Sequence, residues 1–297
     1  MDINRLKEFV QLAKTGNYLE AAENLFISQS SLSKHILSLE KELDILLFDR
    51  TTRRVKLTDA GRTLMKYAEE MLAIDYQWQT ALLNLKDTSQ QKLDIGTIPI
   101  MSAYGITDLI SEYKKENPKT QLMIFEGETS LLKERVLAGQ SELAFIRRVF
   151  PTTEKVDSEL FSIRNFTRDY LVAVLPSEHT LANQDFIHLS ELRNENFLFL
   201  HQQSILHQIS LNACRAAGFE PNIVYSGKRA ENIVDLVAKG MGISLLMSKP
   251  VAYLNTSSHI KLIPVSPYIE TEIAIYTKKG VKLSAAAQHF LQFSQNR

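Results

Sequence analysis

Ser31-Leu32-Ser33-Lys34 fits the S-x-x-K pattern, in which a serine attacks an acyl carbon and a nearby lysine takes up the proton. That chemistry needs companion motifs, and no S-D-N accompanies this one. Gly240-Met241-Gly242 lacks the third glycine of a pyrophosphate site, and His201 and His207 stand six residues apart with no Cys or acid cluster beside them. These residues therefore predict no enzyme, no cofactor and no metal site.

The S-x-x-K residues fall in the second of two short helices predicted between Asn17 and Leu43. Asn17 can cap the first helix, because its side chain accepts from free N–H groups and Glu20 stands three residues on. Ser28 can cap the second. Apolar residues give each helix one packing face: Ala21, Ala22 and Leu25 on the first, and Leu32, Ile36, Leu39 and Leu43 on the second.

The other face of the second helix is polar in its first turns, which hold Gln29, Ser30, Ser33 and Lys34. Short hydrogen-bonding side chains at a positive helix end suit phosphates and base edges. A helical hairpin with a polar outer face is the plainer alternative. The basic run downstream, in which Thr51, Thr52 and Val55 alternate with Arg50, Arg53, Arg54 and Lys56, favours a β-ribbon wing beside a helix-turn-helix.

The order of these residues resembles the N-terminal pattern of the LysR-type transcriptional regulators. The matching positions are Phe9, Ala13, Tyr18 to Ala22, Leu25, Ser28 to Lys34, Leu39 to Leu43, Leu47 to Arg50, Arg53, Leu57, Thr58, Ala60 and Gly61. The resemblance implies a winged helix-turn-helix that contacts double-stranded DNA. The implied DNA-binding residues are Ser28, Gln29, Ser30, Ser31, Ser33, Lys34, His35, Arg50, Arg53, Arg54 and Lys56.

The chain departs from the family pattern at a few positions. The family commonly has Gly at Asp44, Pro at Ser30 or Ser31, and Arg or Gln at His35. None of these changes removes a polar contact position. A ring nitrogen of His35 could touch a phosphate or a base, and a partly exposed surface histidine is an equal alternative.

Composition limits the remaining functions. The 34 basic and 34 acidic residues give a net charge of zero, so any DNA affinity must be local. Cys214 is the only cysteine, which excludes an intrachain disulfide and favours a reduced cytoplasm and a packing or inert thiol. No export signal and no apolar run of about 18 residues is found, so we expect no membrane span.

A helix is predicted from Thr58 to about Lys86. Apolar residues recur at heptad a and d spacing, interrupted only by Asp75: Leu64, Ala68, Met71, Trp78, Leu82 and Leu85. We expect this helix to pair two copies of the chain, and packing against its own chain is the alternative. The resemblance places a linker helix here and implies a dimer or a tetramer of dimers.

Beyond a polar hinge at 87–91, short apolar runs alternate with helical segments, as in a parallel α/β sheet. Strands are predicted at 92–98, 121–125, 143–146, 170–175, 197–200, 243–247 and 272–277, and helices at 102–116, 130–138, 203–217, 230–239 and 284–293. The predicted fold class is α/β, with a two-lobed effector domain that resembles a periplasmic binding protein. The predicted domains are residues 1–58, 59–91 and 92–297, in which lobe I comprises 92–165 plus 266–297 and lobe II comprises 166–265.

Ligands of such sheets bind beyond the carboxyl ends of the strands. That rule brings four segments to one cleft: Pro99 to Ser102, Glu128 to Ser130, Arg147 to Arg148, and His201 to Ser204. The resemblance assigns effector contacts to Ser102, Thr129, Arg147 and Gln202 or Gln203, with Ser226 to Lys228 approaching from lobe II. A guanidinium and a hydroxyl suit an anion. Alternatively, Arg147 and Arg148 pair with surface acids such as Glu142 or Asp169.

These observations predict a sequence-specific transcriptional regulator that responds to a small-molecule effector, with RNA polymerase as a further candidate partner. The alternative is a soluble small-molecule-binding protein whose N-terminal helices only dimerise the chain.

Overall fold

The computed structural model describes residues 2–49, 55–86, 92–149, 154–254 and 259–295. The chain divides into two compact units, Met1–Thr88 with Leu137–Gln140, and Ser89–Val136 with Ser141–Arg297, which are named the N-terminal and C-terminal units. Arg50, Arg53, Arg54 and the hinge predicted at 87–91 lie outside the described residues.

The N-terminal unit has helices at both ends of a two-stranded ribbon. Its described elements are α1 (Ile3–Thr15), α2 (Tyr18–Asn24), α3 (Gln29–Leu43), β1 (Phe48–Asp49), β2 (Lys56–Leu57) and α4 (Asp59–Lys86). Both predicted caps are confirmed, because Asn17 Oδ1 accepts from Leu19 N at 2.9 Å and Ser28 Oγ accepts from Ser31 N at 3.1 Å.

The core of the N-terminal unit forms where α1, α2 and α3 meet the ribbon. Phe9 and Phe48 place their ring centroids 5.3 Å apart in this core. The predicted packing faces are confirmed for Ala21, Ala22, Leu32, Ile36 and Leu39, which are all buried. The prediction for Leu43 was wrong: its side chain is 39% exposed, because α3 ends there and Asp44 takes a left-handed conformation (φ 49°).

The C-terminal unit contains two lobes that share one long strand, β6. Its described strands are β3 (Lys92–Thr97), β4 (Gln121–Glu126), β5 (Leu143–Val149), β6 (Phe161–Pro176), β7 (Ile187–His188), β8 (Asn196–Leu200), β9 (Asn222–Gly227), β10 (Ser244–Met247), β11 (Ile260–Ser266) and β12 (Glu270–Lys278). Its described α-helices are α5 (Ile106–Glu116), α6 (Thr129–Leu137), α7 (Glu154–Leu160), α8 (Ile205–Ala216), α9 (Ala230–Ala238), α10 (Ser248–Leu254) and α11 (Ala285–Phe293). Short 3-10 helices lie at Met101–Tyr104 and Leu189–Leu192.

The large sheet has the strand order β4-β3-β5-β12-β6-β11-β7, and β10 also pairs with β6. The first half of β6 pairs with β12 in lobe I, and its second half pairs with β10 and β11 in lobe II. Strands β8 and β9 form a separate parallel pair in lobe II. Strand β6 therefore crosses from one lobe to the other.

The sheet is mixed, whereas the alternation of strands and helices is typical of a parallel one. Strand β3 is parallel to β4 and β5, but β12 is antiparallel to both β5 and β6. Strand β12 lies between β5 and β6 and runs antiparallel to both, so the chain returns through lobe I in the opposite direction. Strand β11 is also antiparallel to β6.

Sequence patterns missed or merged some elements. One helix was predicted over 102–116, but Gly105 at φ 72° separates the 3-10 turn from α5. Strand β11 was missed; it contains Pro264, which weakens a strand pattern. Strands β7 and β9 and helices α7 and α10 were also missed.

Candidate DNA interface and effector cleft

Three serines organise the start of α3. Ser28 Oγ lies 3.0 Å from Ser30 Oγ and 2.8 Å from Ser31 Oγ, in addition to accepting from Ser31 N. Ser28, Ser30 and the neighbouring Gln29 are exposed, whereas Ser31 and Ser33 are half-buried. The first turn of α3 therefore presents hydroxyl and amide groups at the positive end of a helix.

Lys34 and His35 continue the polar face of α3, and both are exposed. His35 does not stand alone there, because its Nδ1 lies 2.9 Å from each carboxylate oxygen of Glu8 on α1. This contact fixes the imidazole ring against α1. His35 is thus an exposed histidine paired with an acid.

The wing is attached to α3 through a buried carboxylate. Glu40 Oε1 accepts from Leu47 N at 2.8 Å and from Phe48 N at 3.1 Å, where β1 begins. Strand β1 pairs with β2 in antiparallel register, which confirms the base of the predicted ribbon and places exposed Lys56 on it. Helix α3 and the start of the β1–β2 ribbon are therefore held together.

A second fixed point lies where the wing meets α4. A Cβ at Gly61 would lie 2.1 Å from the carbonyl oxygen of Leu47, so only glycine allows this approach. Thr58 Oγ1 also accepts from Gly61 N at 3.0 Å and donates to Leu46 O at 2.7 Å. The start of α4 is thereby bound to the strand that leads into the wing.

Helix α4 carries an apolar stripe that its own unit does not cover. Five side chains on this stripe are between 41% and 62% exposed: Tyr67, Met71, Ile74, Trp78 and Leu82. Their spacings of four, three, four and four suit a helix that pairs with another helix. This set is named the α4 stripe.

The α4 stripe differs from the predicted heptad in part. Ala68 is fully buried and Leu64 packs against the core of the same unit, so the own-chain alternative holds for these two residues. Asp75, which interrupts the heptad, lies 3.6 Å from Lys7 on α1. The side chain of Leu85 is outside the described part of α4.

A cavity of about 590 Å³ lies between the two lobes of the C-terminal unit. It joins three predicted effector residues of lobe I, Ser102, Thr129 and Arg147, as the strand-end rule predicts. The turn after β8 contributes His201 and Ser204 from lobe II. Gln202 and Gln203, predicted from the same turn, are exposed and are not among the cavity-lining residues. Lys228 lines the cavity from the predicted 226–228 segment, and Arg229 and Glu231 follow it.

Arg147 forms the floor of this cavity and is 7% exposed. Its Nη1 donates to Thr271 Oγ1 at 2.6 Å and its Nη2 donates to the hydroxyl of Tyr104. That hydroxyl in turn donates to Asp169 Oδ2 at 2.7 Å. Arg147 is therefore linked to Asp169 through a tyrosine instead of pairing with it directly.

Arg148 has a different environment from Arg147. Its Nη1 lies 3.1 Å from Glu272 Oε2, a buried carboxylate on β12. The acid-pairing alternative is thus correct for Arg148, although the partner is neither of the two acids proposed from sequence. Glu142 instead accepts from Ser284 N and Oγ at the start of α11, at 2.8 and 2.7 Å.

Two buried polar atoms in the cavity wall have no hydrogen-bond partner among the described residues: Thr129 Oγ1 and His201 Nδ1. Buried polar atoms are normally paired, so these two are candidates for ligand contacts. Glu128 Oε1 lies 3.7 Å from His201 Nε2, across the cleft. Burial raises the pKa of Glu128, while the charge of His201 and the backbone N–H of Ile205 lower it to a smaller extent.

The cavity wall carries both signs of charge. Its acids are Glu126, Glu128 and Glu231, and its fixed cations are Arg147, Lys228 and Arg229. The sequence pattern placed Arg147 and the segment that begins at Glu128 in the cleft, but not Glu126, Glu231 or Arg229, because no single motif contains these three. Tyr104 was also missed, since nothing in its local sequence connects it to Arg147.

The residues considered for enzyme chemistry have structural contacts. Ser31 bonds to Ser28, and His207 Nδ1 lies 2.7 Å from the carbonyl of Leu200. The chain also contains a K-T-G sequence, Lys14-Thr15-Gly16, which the motif comparison did not take into account; it ends α1, where Lys14 lies 3.1 Å from Glu69. Among the residues that the structure describes, no group of three or more His, Cys, Asp or Glu side chains could hold a metal ion.

Cys214 lies on α8 and is fully buried in the core of lobe II. Burial raises the pKa of its thiol to about 12. Thiolate is the reactive form of cysteine, so this thiol is unreactive near neutral pH. Of the helices in the described ranges, none has the length and hydropathy of a membrane span.

A winged helix-turn-helix, a long helix with an exposed apolar stripe and a two-lobed unit with a polar cleft define a ligand-responsive DNA-binding regulator. Two family models match the chain: "Bacterial regulatory helix-turn-helix protein, lysR family" over residues 3–62 and "LysR substrate binding domain" over residues 86–297. The chain belongs to the LysR family of transcriptional regulators. The regulator hypothesis is therefore supported over the soluble binding protein.

Relatives and solved structures agree with this family. The transcriptional dual regulator GltC of Bacillus subtilis (strain 168) is 28% identical over 294 residues, which cover 99% of this chain and 96% of the relative. The fold resembles CbnR, a LysR family transcriptional regulator (TM-score 0.62, 19% identity, 100% and 99% of the two chains). It also resembles HinK of Pseudomonas aeruginosa (TM-score 0.58, 22% identity, 100% and 98%).

Proposed function

We propose that α3 reads the major groove of an operator while the wing contacts the DNA backbone. The observation that carries this proposal is the buried Glu40 carboxylate, which holds the wing beside the polar first turns of α3. Gln29, Ser30 and Lys34 are exposed on that helix and are of the types that contact bases and phosphates. We extend the proposal to the backbone contacts that the sequence predicts for Arg50, Arg53 and Arg54.

We further propose that the chain acts as a homodimer or as a tetramer of dimers. The α4 stripe supports pairing of two copies. Large apolar side chains at heptad spacing have a lower free energy when they are buried against each other than when they are exposed to water. A pair of reading helices would then meet two half-sites of one operator. Because its DNA partner lies there, we place the regulator in the cytoplasm, with RNA polymerase as a partner at the promoter.

The effector that we propose is a small molecule with an anionic group. The anionic group would lie near Thr129 Oγ1 and the floor formed by Arg147, where an unpaired hydroxyl and a guanidinium are available. The acids in the wall suit a hydrogen-bond donor elsewhere on the same molecule. The effector would bias the two lobes, joined by β6, toward one orientation and so change how bound copies contact the promoter.

The DNA proposal is tested by fluorescence anisotropy of the full chain with a duplex taken from upstream of its own coding region. Lys56→Ala and Lys34→Ala should weaken binding and reduce the salt slope by about one for each lost phosphate contact. Gln29→Ala should change which sequence is preferred. Unchanged affinity and preference in all three folded variants would show that α3 is not the reading helix.

The effector proposal is tested by thermal shift with a panel of carboxylates, amino acids and neutral analogues. A ligand present at about 100 times its dissociation constant adds about 2.7 kcal/mol of apparent stability. Thr129→Val removes the unpaired hydroxyl and keeps the side-chain volume, so it should abolish the shift without lowering the melting temperature of the free protein. Stabilisation by neutral compounds alone would contradict the anionic effector.

A further inference from the structure

Phe26 lies in the turn between α2 and α3 and is 95% exposed. Its neighbours Leu25 and Ile27 pack against the core of the N-terminal unit, so the turn points one apolar residue away from that core. The turn is well ordered by backbone bonds from Phe26 N to Glu23 O and from Ile27 N to Ala22 O, both of 3.1 Å. The phenyl ring is thus held in solvent by a defined backbone.

The backbone of Phe26 is also strained. Its φ of 55° is in the left-handed region, which bulky side chains rarely adopt. Glycine would remove both the strain and the exposed apolar surface. Phe26 therefore combines a strained backbone with an exposed apolar side chain in the free protein. This combination suggests a contact that is made only in a complex.

The position of Phe26 indicates the partner. The residue stands two positions before Ser28, the N-cap of α3, and therefore borders the exposed first turn that holds Gln29 and Ser30. The proposed DNA surface thus continues directly onto the phenyl ring. Duplex DNA offers apolar C–H groups in this setting, on the thymine 5-methyl group and on deoxyribose.

We propose that Phe26 is an affinity-determining DNA contact, which packs its ring on the C–H surface of the operator at the edge of each half-site. This proposal rests on the function proposed for α3. Burial of part of a phenyl ring predicts a loss of about tenfold in affinity for each DNA-binding unit when the ring is removed. Because the contact is uncharged, the salt slope should stay the same.

The test uses the full chain and a duplex that the wild-type protein selects from a random-sequence library. Phe26→Gly should bind this duplex about tenfold more weakly for each DNA-binding unit, with an unchanged salt slope and a melting temperature at or above that of the wild type. Asp44→Gly is the matched control, because Asp44 is also left-handed (φ 49°) and flanks the other end of α3. It should relieve strain equally and leave DNA affinity unchanged.

Replacing single thymines of the duplex with deoxyuridine distinguishes the two C–H sources. Loss of the wild-type advantage over Phe26→Gly at one position identifies a thymine methyl, and an advantage retained at every position identifies deoxyribose. Equal binding by Phe26→Gly and wild type would overturn this proposal and leave the function proposed for α3 intact. The same holds if Phe26→Gly has a lower melting temperature and partial unfolding accounts for its loss of DNA affinity. If the wild type selects no sequence, the operator-reading function fails and this proposal fails with it.

Discussion

The guanidinium of Arg147 and the carboxylate of Asp169 are joined through a single hydroxyl, that of Tyr104. Asp169 Oδ1 also accepts from Ser248 Oγ at 2.7 Å and from Lys249 N at 3.2 Å, at the start of α10 in lobe II. The floor of the cleft is therefore connected by hydrogen bonds to a helix of the opposite lobe. A ligand that moves Arg147 would act on this connection.

We expect Tyr104→Phe to weaken the C-terminal unit by about 1–2 kcal/mol, because a buried carboxylate and a buried guanidinium each lose a partner. Burial raises the pKa of Tyr104 far above its ordinary value, so the hydroxyl stays protonated and donates to Asp169 at all physiological pH values. Urea unfolding measures the loss. Tyr268→Phe, at an exposed tyrosine, is the control and should leave the midpoint unchanged. Equal midpoints for Tyr104→Phe and wild type would show that the link contributes nothing.

Glu40→Ala should destabilise the N-terminal unit by about 2–4 kcal/mol, since the N–H groups of Leu47 and Phe48 lose their charged acceptor. DNA affinity should fall as well, because the wing loses its attachment to α3. Thermal unfolding and anisotropy together check both effects. Glu42→Ala removes an exposed carboxylate of the same helix, paired with Arg5 at 3.2 Å, and should cost less than about 1 kcal/mol. A similar loss in both variants would contradict the role given to Glu40.

A charge in the α4 stripe should separate the paired copies. Ile74→Glu is expected to raise the dimer dissociation constant at least about tenfold, because it buries a carboxylate in an apolar interface. Sedimentation equilibrium measures this constant. Glu69→Lys changes an exposed position on the side of α4 that faces Lys14 of α1 and serves as the control. An unchanged constant for Ile74→Glu would show that the α4 stripe faces something other than a second copy.

Local patterns predicted the features that depend on neighbouring residues. The caps at Asn17 and Ser28 and the buried face of α3 were correct, because each depends on side chains within a few positions of one another. The heptad of α4 was only partly correct. Its first turns pack on α1 of the same chain, and no periodicity distinguishes that partner from a second copy.

Features that depend on distant residues could not be predicted from the sequence. Arg147 and Asp169 follow Tyr104 by 43 and 65 positions, and only the strand order brings the three residues together. Glu40 interrupts the apolar face of α3, and a charged residue in a helix predicts a solvent-exposed position. Its burial becomes intelligible only when the start of β1 supplies two N–H groups.

The Glu128 carboxylate should make the C-terminal unit less stable as pH rises. Burial places its folded pKa above the unfolded value, so the folded state holds the proton more tightly. This contribution to stability is fully present below the unfolded pKa and is lost as pH rises through the folded pKa. Glu128→Gln keeps the size of the side chain and removes its titration, so it should flatten the decline.

Urea unfolding from about pH 4 to about pH 8 measures the slope. Burial also raises the pKa values of Glu142 and Glu272, so part of the decline in stability remains in the variant. Glu178→Gln removes an exposed carboxylate and controls for the loss of one charge. A decline as steep in Glu128→Gln as in the wild type would mean that burial does not raise the pKa of Glu128 in solution. The cleft wall would then leave this carboxylate open to water.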